Sequence, residues 1–441
     1  MMEARQQTAE LELGGDIERD QASRRPARDR ALLWGMALLT VFFAAQFLQL
    51  FPELEGLQIA KFAAAAVAVL FITSPEQIAG RAKIRATPQL KLILGMLAIA
   101  LATIPFSVWP SGSLHFIAEV YLKNVVFVYL LAQTARSARN ARVIAGALIT
   151  GSAMLVIAML VGFGPQVSYK GDTSRASVGG SYDPNDMALL FVISIPFAVF
   201  MLKDSKPKGR VLLIAAIALM MVGMVKTGSR GGFVGLIVIG VLILIRSSAQ
   251  FRRYSLIAVA TGILLLAFAA PQAYWDRINT MINYEEDYNV TENVGRVVVW
   301  RTGLKMVAAH PITGVGISGF QTAYAKFSNS KVEISPHNSF LQVAAELGVI
   351  GFLLFTAIVF VSIRGARRIR KRALQGKEDA DLIWLASAVE VSFMGFVVSA
   401  FFLTHAYTAI FCFLAGISAA LLARRRTPEK ASSASEEIEY A

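Results

Sequence analysis

The sequence predicts an all-α polytopic membrane protein of about twelve transmembrane helices, with a long outward-facing loop between helices nine and ten. Three observations predict it. Of the 441 residues, 55% are hydrophobic and only 17% are charged, and the mean hydropathy is +0.55. Apolar runs of roughly eighteen or more residues recur, each long enough to cross a hydrocarbon core of about 30 Å. Basic residues also cluster in every second connection, as expected if Lys and Arg are retained on the cytoplasmic side.

The apolar runs begin near Ala31, Gly56, Gln89, Ser113, Ala141, Asn185, Val211, Gly231, Tyr254, Asn338, Asp381 and Ala406. Residues 1–30 are charged and poor in apolar side chains, and read as a disordered cytoplasmic tail. Residues 31–426 form the transmembrane domain, and the Ser/Glu-rich 427–441 form a second disordered cytoplasmic tail. The first run does not read as a cleaved signal peptide, because a long charged tail precedes it and no small-residue cleavage site follows. The chain shows no repeat of fixed period and no soluble domain.

Basic clusters fall at 24–30, 81–85, 136–142, 203–210, 246–253, 364–372 and 424–426, whereas connections such as 52–55 and 107–113 carry few or none. Both termini are then cytoplasmic, and the 271–336 loop faces outward. Topology accounts for most of the net charge of +13, so no nucleic-acid partner is implied. The single cysteine, Cys412, excludes an intramolecular disulfide.

Three outward segments offer room for chemistry: 164–184, the tight 226–232 turn and the 271–336 loop. In the loop, residues 294–309 read as an amphipathic helix. At about 100° per residue, Val297, Trp300, Leu304 and Val307 share one arc and Arg301 and Lys305 lie across from it. Arg296 falls at the apolar edge, either as a phosphate ligand or as an interfacial anchor paired with Trp300. In the earlier turn, Lys226 and Arg230 run against the inside-positive trend. Ser229 can cap the helix that follows, and a helix start beside an arginine is an anion site. The alternative is a turn whose arginine reaches lipid headgroups. Lys170 and Arg175, in the first outward segment, can add positive potential.

His337 follows Ser335 and Pro336, a helix-start pattern with serine as N-cap and proline in the first turn. The helix is expected over 338–361, with Ala344, Gly348 and Gly351 on the His337 side leaving room for a neighbour. A first-turn histidine feels the positive end of the helix dipole, which disfavours its protonation. A neutral imidazole there can serve as general base for a hydroxyl; otherwise it is an interfacial residue making one hydrogen bond.

Other signals carry less. Gly314, Gly316 and Gly319 match a dinucleotide pattern literally, but no βαβ unit surrounds them. His310–Pro311 reads as a helix stop and the glycines after it as a turn. No His, Cys or carboxylate set has zinc-like spacing, so no metal is implied. Glu119 and Lys123, four apart, neutralise each other. Glu346, about 180° around its helix from His337, and Glu390 are intramembrane carboxylates. Together these buried charges support a second reading, a secondary transporter.

The chain resembles the O-antigen ligase and polymerase superfamily. The resemblance rests on Thr227-Gly-Ser-Arg-Gly-Gly232, on Arg296 with Trp300 leading to His310-Pro-Ile-Thr-Gly-Val-Gly316, and on Pro336-His-Asn-Ser-Phe340 continuing into Ala345-Glu-Leu-Gly-Val-Ile-Gly351. Ser181-Tyr-Asp-Pro-Asn-Asp186 resembles a further family segment, so the motifs cover about 180–361. The resemblance implies transfer of a glycan from an undecaprenyl diphosphate carrier to an acceptor hydroxyl, glycan or lipid A-core. The expected place is the periplasmic face of a bacterial inner membrane. Arg230 and Arg296 would hold the diphosphate and His337 would activate the acceptor, with Lys226, Arg175, Trp300 and Asn338 as further candidate contacts. The family is metal-independent, and no cofactor is expected. Displacement at the anomeric carbon would invert configuration. Ligation, polymerisation and attachment to protein stay open. The transporter reading predicts inverted repeats, which the sequence lacks, and gives the outward arginines no role.

Overall fold

Backbone groups inside a bilayer must bond within their own segment, and the described residues are all helices and short connections, with no strand among them. The computed structural model describes residues 29–51, 53–54, 59–72, 87–162, 183–247, 270, 272–279, 295–328 and 332–424, with isolated positions between 252 and 262. In chain order the helices are α1 (29–44), α2 (Ile59–Ile72), α3 (Pro88–Ala102), α4 (Pro110–Thr134), α5 (Ala138–Leu160), α6 (Pro184–Met201) and α7 (Pro207–Thr227). They continue as α8 (Arg230–Arg246), α9 (Gln272–Asn279), α10 (Arg296–Ala309), α11 (Phe320–Phe327), α12 (Ser339–Leu374), α13 (Leu382–Ala400) and α14 (Ala409–Ala423).

Eleven of the twelve expected segments therefore carry a described helix; the one near Tyr254 lies mostly outside the described residues, as do both tails (1–28 and 425–441). Six helices, α4, α5, α6, α7, α12 and α13, are long and apolar enough to cross a membrane, and α2, α3 and α14 are shorter apolar helices. The chain is a polytopic membrane protein.

Helices α6 and α13 form the centre. α6 is apolar all round and buried along its whole length, as a helix surrounded by other helices must be. α13 packs against α6, α8 and α12, and the Ser392 hydroxyl donates to the Ile193 carbonyl at 2.7 Å. The antiparallel path then puts the starts of α6, α8, α12 and α14 at one end of the bundle, with the ends of α7 and α13.

α12 departs from its expected form. It starts at Ser339, runs to Leu374, and is broken at Gly348 (φ 66°, ψ −170°). Gly348 is not part of a small-residue seam. A Cβ there would lie 2.3 Å from the Ile312 carbonyl oxygen, so the break lets the 311–316 segment dock. That segment repairs the ladder: Val315 N–H donates to the Ala345 carbonyl (2.8 Å), Gly316 N–H to that of Glu346 (3.0 Å), and Val349 N–H to that of Pro311 (2.8 Å). Gly314 is pressed on the broken helix, where a Cβ would lie 2.3 Å from the Glu346 carbonyl, whereas Gly316 is pressed on Ser107; the surrounding described fold is helical rather than βαβ.

Candidate active site at one end of the bundle

Two arginines open helices. α7 ends on Gly228 in the left-handed region (φ 58°). The Ser229 hydroxyl then accepts from Gly232 N–H at 3.1 Å, as the sequence predicts for a cap, so α8 begins at Arg230. α10 begins at Arg296, with Gly295 as N-cap. A cation at a helix start opposes the macrodipole, typically by about 0.3–1 kcal/mol, while the free N–H groups there favour an anion. Both arginines are half-buried, and Lys226 is exposed in the last turn of α7.

His337 is not in the first turn of α12. Asn338 is the N-cap, its Oδ1 accepting from Phe340 N–H (3.0 Å) and Leu341 N–H (2.9 Å). Ser335 does not cap, because its hydroxyl bonds the Thr404 hydroxyl at 2.8 Å. His337 therefore lies just outside the helix, half-buried, at φ 44°. That left-handed conformation costs a non-glycine residue on the order of 1–2 kcal/mol, and such strain persists where the surroundings over-determine it. Asn338 is buried and its oxygen is committed to the cap.

Trp300 ties these elements together. Its Nε1–H donates to the Pro336 carbonyl at 2.9 Å, and its ring packs on Phe401 and Phe402 at 5.5 and 6.5 Å between centroids. Phe402 also abuts the Arg230 turn, since a Cβ on Gly231 would lie 3.3 Å from the Phe402 Cβ. The 401–402 turn thus touches both the helix opened by Arg296 and the helix opened by Arg230, with His337 one residue beyond the Trp300 anchor. From the long loop, Tyr274 on α9 packs on Phe233 of α8. Burial pushes the Tyr274 hydroxyl up to about 12, so it stays protonated.

The expected apolar arc of α10 is not its buried one. Val299, Thr302, Gly303 and Met306 face the protein, because Gly303 lets Leu341 and Phe320 come close: a Cβ there would lie 2.8 Å from Leu341. Trp300, Leu304 and Val307 instead line an open groove of ≈ 550 Å³ with Phe340, Phe352 and Leu353. Arg301 and Lys305 are exposed, as expected. Arg175 and Lys170 lie outside the described residues.

The intramembrane carboxylates have partners. Glu119 binds Lys123 at 2.6 Å. Glu390 accepts from Arg246 (2.7 Å) and Arg367 (2.6 Å), and Glu346 Oε1 accepts from Phe320 N–H at 3.3 Å. Among the described residues no group of three His, Cys, Asp or Glu side chains could hold a metal ion.

One pair escaped the sequence reading. His405 Nε2 lies 2.7 Å from Asp186 Oδ1, joining the 401–408 turn to the start of α6. The available signal was that His405 is one of only four histidines and stands at the end of an apolar run.

Comparison with known proteins places part of the chain. Residues 215–356 match the family model described as O-Antigen ligase. This stretch contains Lys226, Arg230, Arg296, Trp300, His337 and Asn338. The chain is similar to a protein of Rickettsia felis named as a candidate polysaccharide ligase, 25% identical over 45% of this chain and 50% of that one. It is similar to the exopolysaccharide production protein ExoQ of Rhizobium meliloti, 24% identical over 74% of this chain and 76% of that one. A further candidate polysaccharide ligase, from Rickettsia conorii, is 25% identical over 39% of this chain and 43% of its own. The chain thus spans half the length of the first of these relatives or less than half of the last.

Proposed function

From an O-antigen ligase family segment at residues 215–356, we propose that this protein transfers a glycan from an undecaprenyl diphosphate carrier to an acceptor hydroxyl. The reaction takes place at the periplasmic face of a bacterial inner membrane. Ligation to lipid A-core and extension of a surface polysaccharide are both of this type. The single observation that carries the reading is the meeting of three elements at Trp300 and Phe402: the Arg230 turn, the Arg296 helix and the Pro336–His337 hinge.

A diphosphate is already an activated leaving group, so the protein must orient the donor, offset the charge that leaves and take one proton. Arg230 and Arg296, each at the start of a helix, meet the departing diphosphate. His337 accepts the acceptor's hydroxyl proton. The acceptor oxygen then bonds the anomeric carbon as the carbon–oxygen bond to diphosphate breaks, which inverts configuration and releases undecaprenyl diphosphate. Carrier lipid fits the apolar groove between α10 and α12, which is lined by Trp300, one turn along the helix that Arg296 opens.

The test is made in cells lacking the protein and complemented with His337→Ala. Carrier-linked glycan should accumulate and the surface glycan should be lost, as in the deletion. Wild-type glycans with His337→Ala would remove the histidine from the chemistry. An unchanged glycan profile in the deletion itself would end the transferase reading.

A further inference from the structure

We propose that Asp186 and His405 form a positioning pair that holds His337 in place for proton transfer, a role that rests on the transferase reading above. His337 has an unfavourable backbone conformation (φ 44°), so its neighbours must supply what holds it. On one side Trp300 holds the Pro336 carbonyl. On the other, a strip at 403–405 fastens the same hinge at two points. The Ser335 hydroxyl bonds that of Thr404 at 2.8 Å. The Ser339 hydroxyl donates to the Leu403 carbonyl at 2.6 Å and accepts from His405 N–H at 2.8 Å. His337 stands midway between those two fastenings.

The strip in turn needs an anchor, because it is a connection between α13 and α14. Asp186 supplies it from the first turn of α6, the most buried helix of the bundle. A carboxylate only accepts, so the proton in this contact sits on His405 Nε2. The other ring nitrogen, Nδ1, lies 3.1 Å from the Thr408 hydroxyl, the residue before α14. Both ring nitrogens of His405 are thereby engaged. The ring is 4% exposed and the Asp186 carboxylate 23%. His405 itself is a clamp within the fold and Asp186 its fixed point, while His337 is the residue that meets the acceptor.

The experiment measures glycan transfer by the purified full-length protein from an undecaprenyl diphosphate-linked donor. Asp186→Ala and His405→Ala are expected to lower kcat on the order of 10- to 100-fold, the range in which a small misplacement of a reacting group costs rate. KM for the donor should stay within about twofold, since the arginine turns are untouched. Asp186→Asn keeps an acceptor for Nε2–H and should recover most of the rate. In a His337→Ala background the same substitutions should cost nothing further, as expected for residues acting through one group. Should Asp186→Ala not fold, His405→Ala and Ser339→Ala carry the same cycle, with Asp186→Asn as the conservative control.

Equal losses with and without His337, or unchanged kcat in Asp186→Ala and His405→Ala, would overturn the pair while leaving the transferase intact. If His337→Ala transfers at the wild-type rate, the reading of His337 fails first, and the pair's role with it.

Discussion

Helix α8 carries an arginine at each end, and the two have opposite physical explanations. Arg246, in the last turn, has the macrodipole in its favour and the buried Glu390 as partner, in a cluster shared with Arg367 and Arg370. Other arginines at that end also have carboxylate partners. Arg142 pairs with Asp204, and both Arg372 and Arg424 pair with Glu378. Arg230, about 25 Å away along the 17-residue helix, is set against the macrodipole. Arg296 repeats that placement at the start of α10. At one end Arg246, Arg367 and Arg370 surround a buried carboxylate, while at the other Arg230 and Arg296 each stand at a helix start, where the macrodipole favours an anion.

Substitutions at the two ends can break this contrast or sharpen it. The largest effect on folding is expected at the paired end: Glu390→Ala leaves three guanidinium groups crowded without their carboxylate. Stability should fall on the order of 3 kcal/mol, read as a lower melting temperature in detergent, while the folded fraction keeps its transfer rate. Loss of transfer at unchanged stability would assign Glu390 to the chemistry and erase the contrast. A middling effect is expected between the ends, at the break in α12. Gly348→Ala must hold an alanine at φ 66° against the Ile312 carbonyl, a cost of about 1–3 kcal/mol. An unchanged melting temperature would mean that the 311–316 segment is not docked there. The smallest is at the hinge itself, where Asn338→Ala removes a cap worth about 1 kcal/mol and Asn338→Asp should retain it. Equal stability of the two variants would deny Asn338 the capping role.

Much of the fold was legible because membrane burial writes itself locally: length, apolar content and alternating basic clusters locate the helices without tertiary information. Arg230, Arg296 and His337 stood out as candidates because each interrupts its local pattern. What was missed depends on contacts distant in sequence. Ser335 and Asn338 are both good caps, and the choice between them is made by Thr404, 69 residues away. Asp186 and His405 look ordinary alone and meet across 219 positions. Gly348 resembles a packing seam until the carbonyl of Ile312 is brought against it. On α10, the buried arc is chosen by what Gly303 admits and not by the most apolar stripe, which is left to line the groove.

The most direct test of the contrast compares Arg230→Ala with Arg246→Ala in the purified protein, with transfer rate and melting temperature measured on both. Removing Arg230 should lower transfer by about 10²–10³-fold, the range for deleting one charge-stabilising group, with a smaller change in melting temperature than Arg246→Ala. Removing Arg246 should lower the melting temperature and leave the rate of the folded protein near wild type. The account is contradicted if Arg230→Ala transfers glycan at the wild-type rate, or if its loss of activity tracks a loss of folding like that of Arg246→Ala.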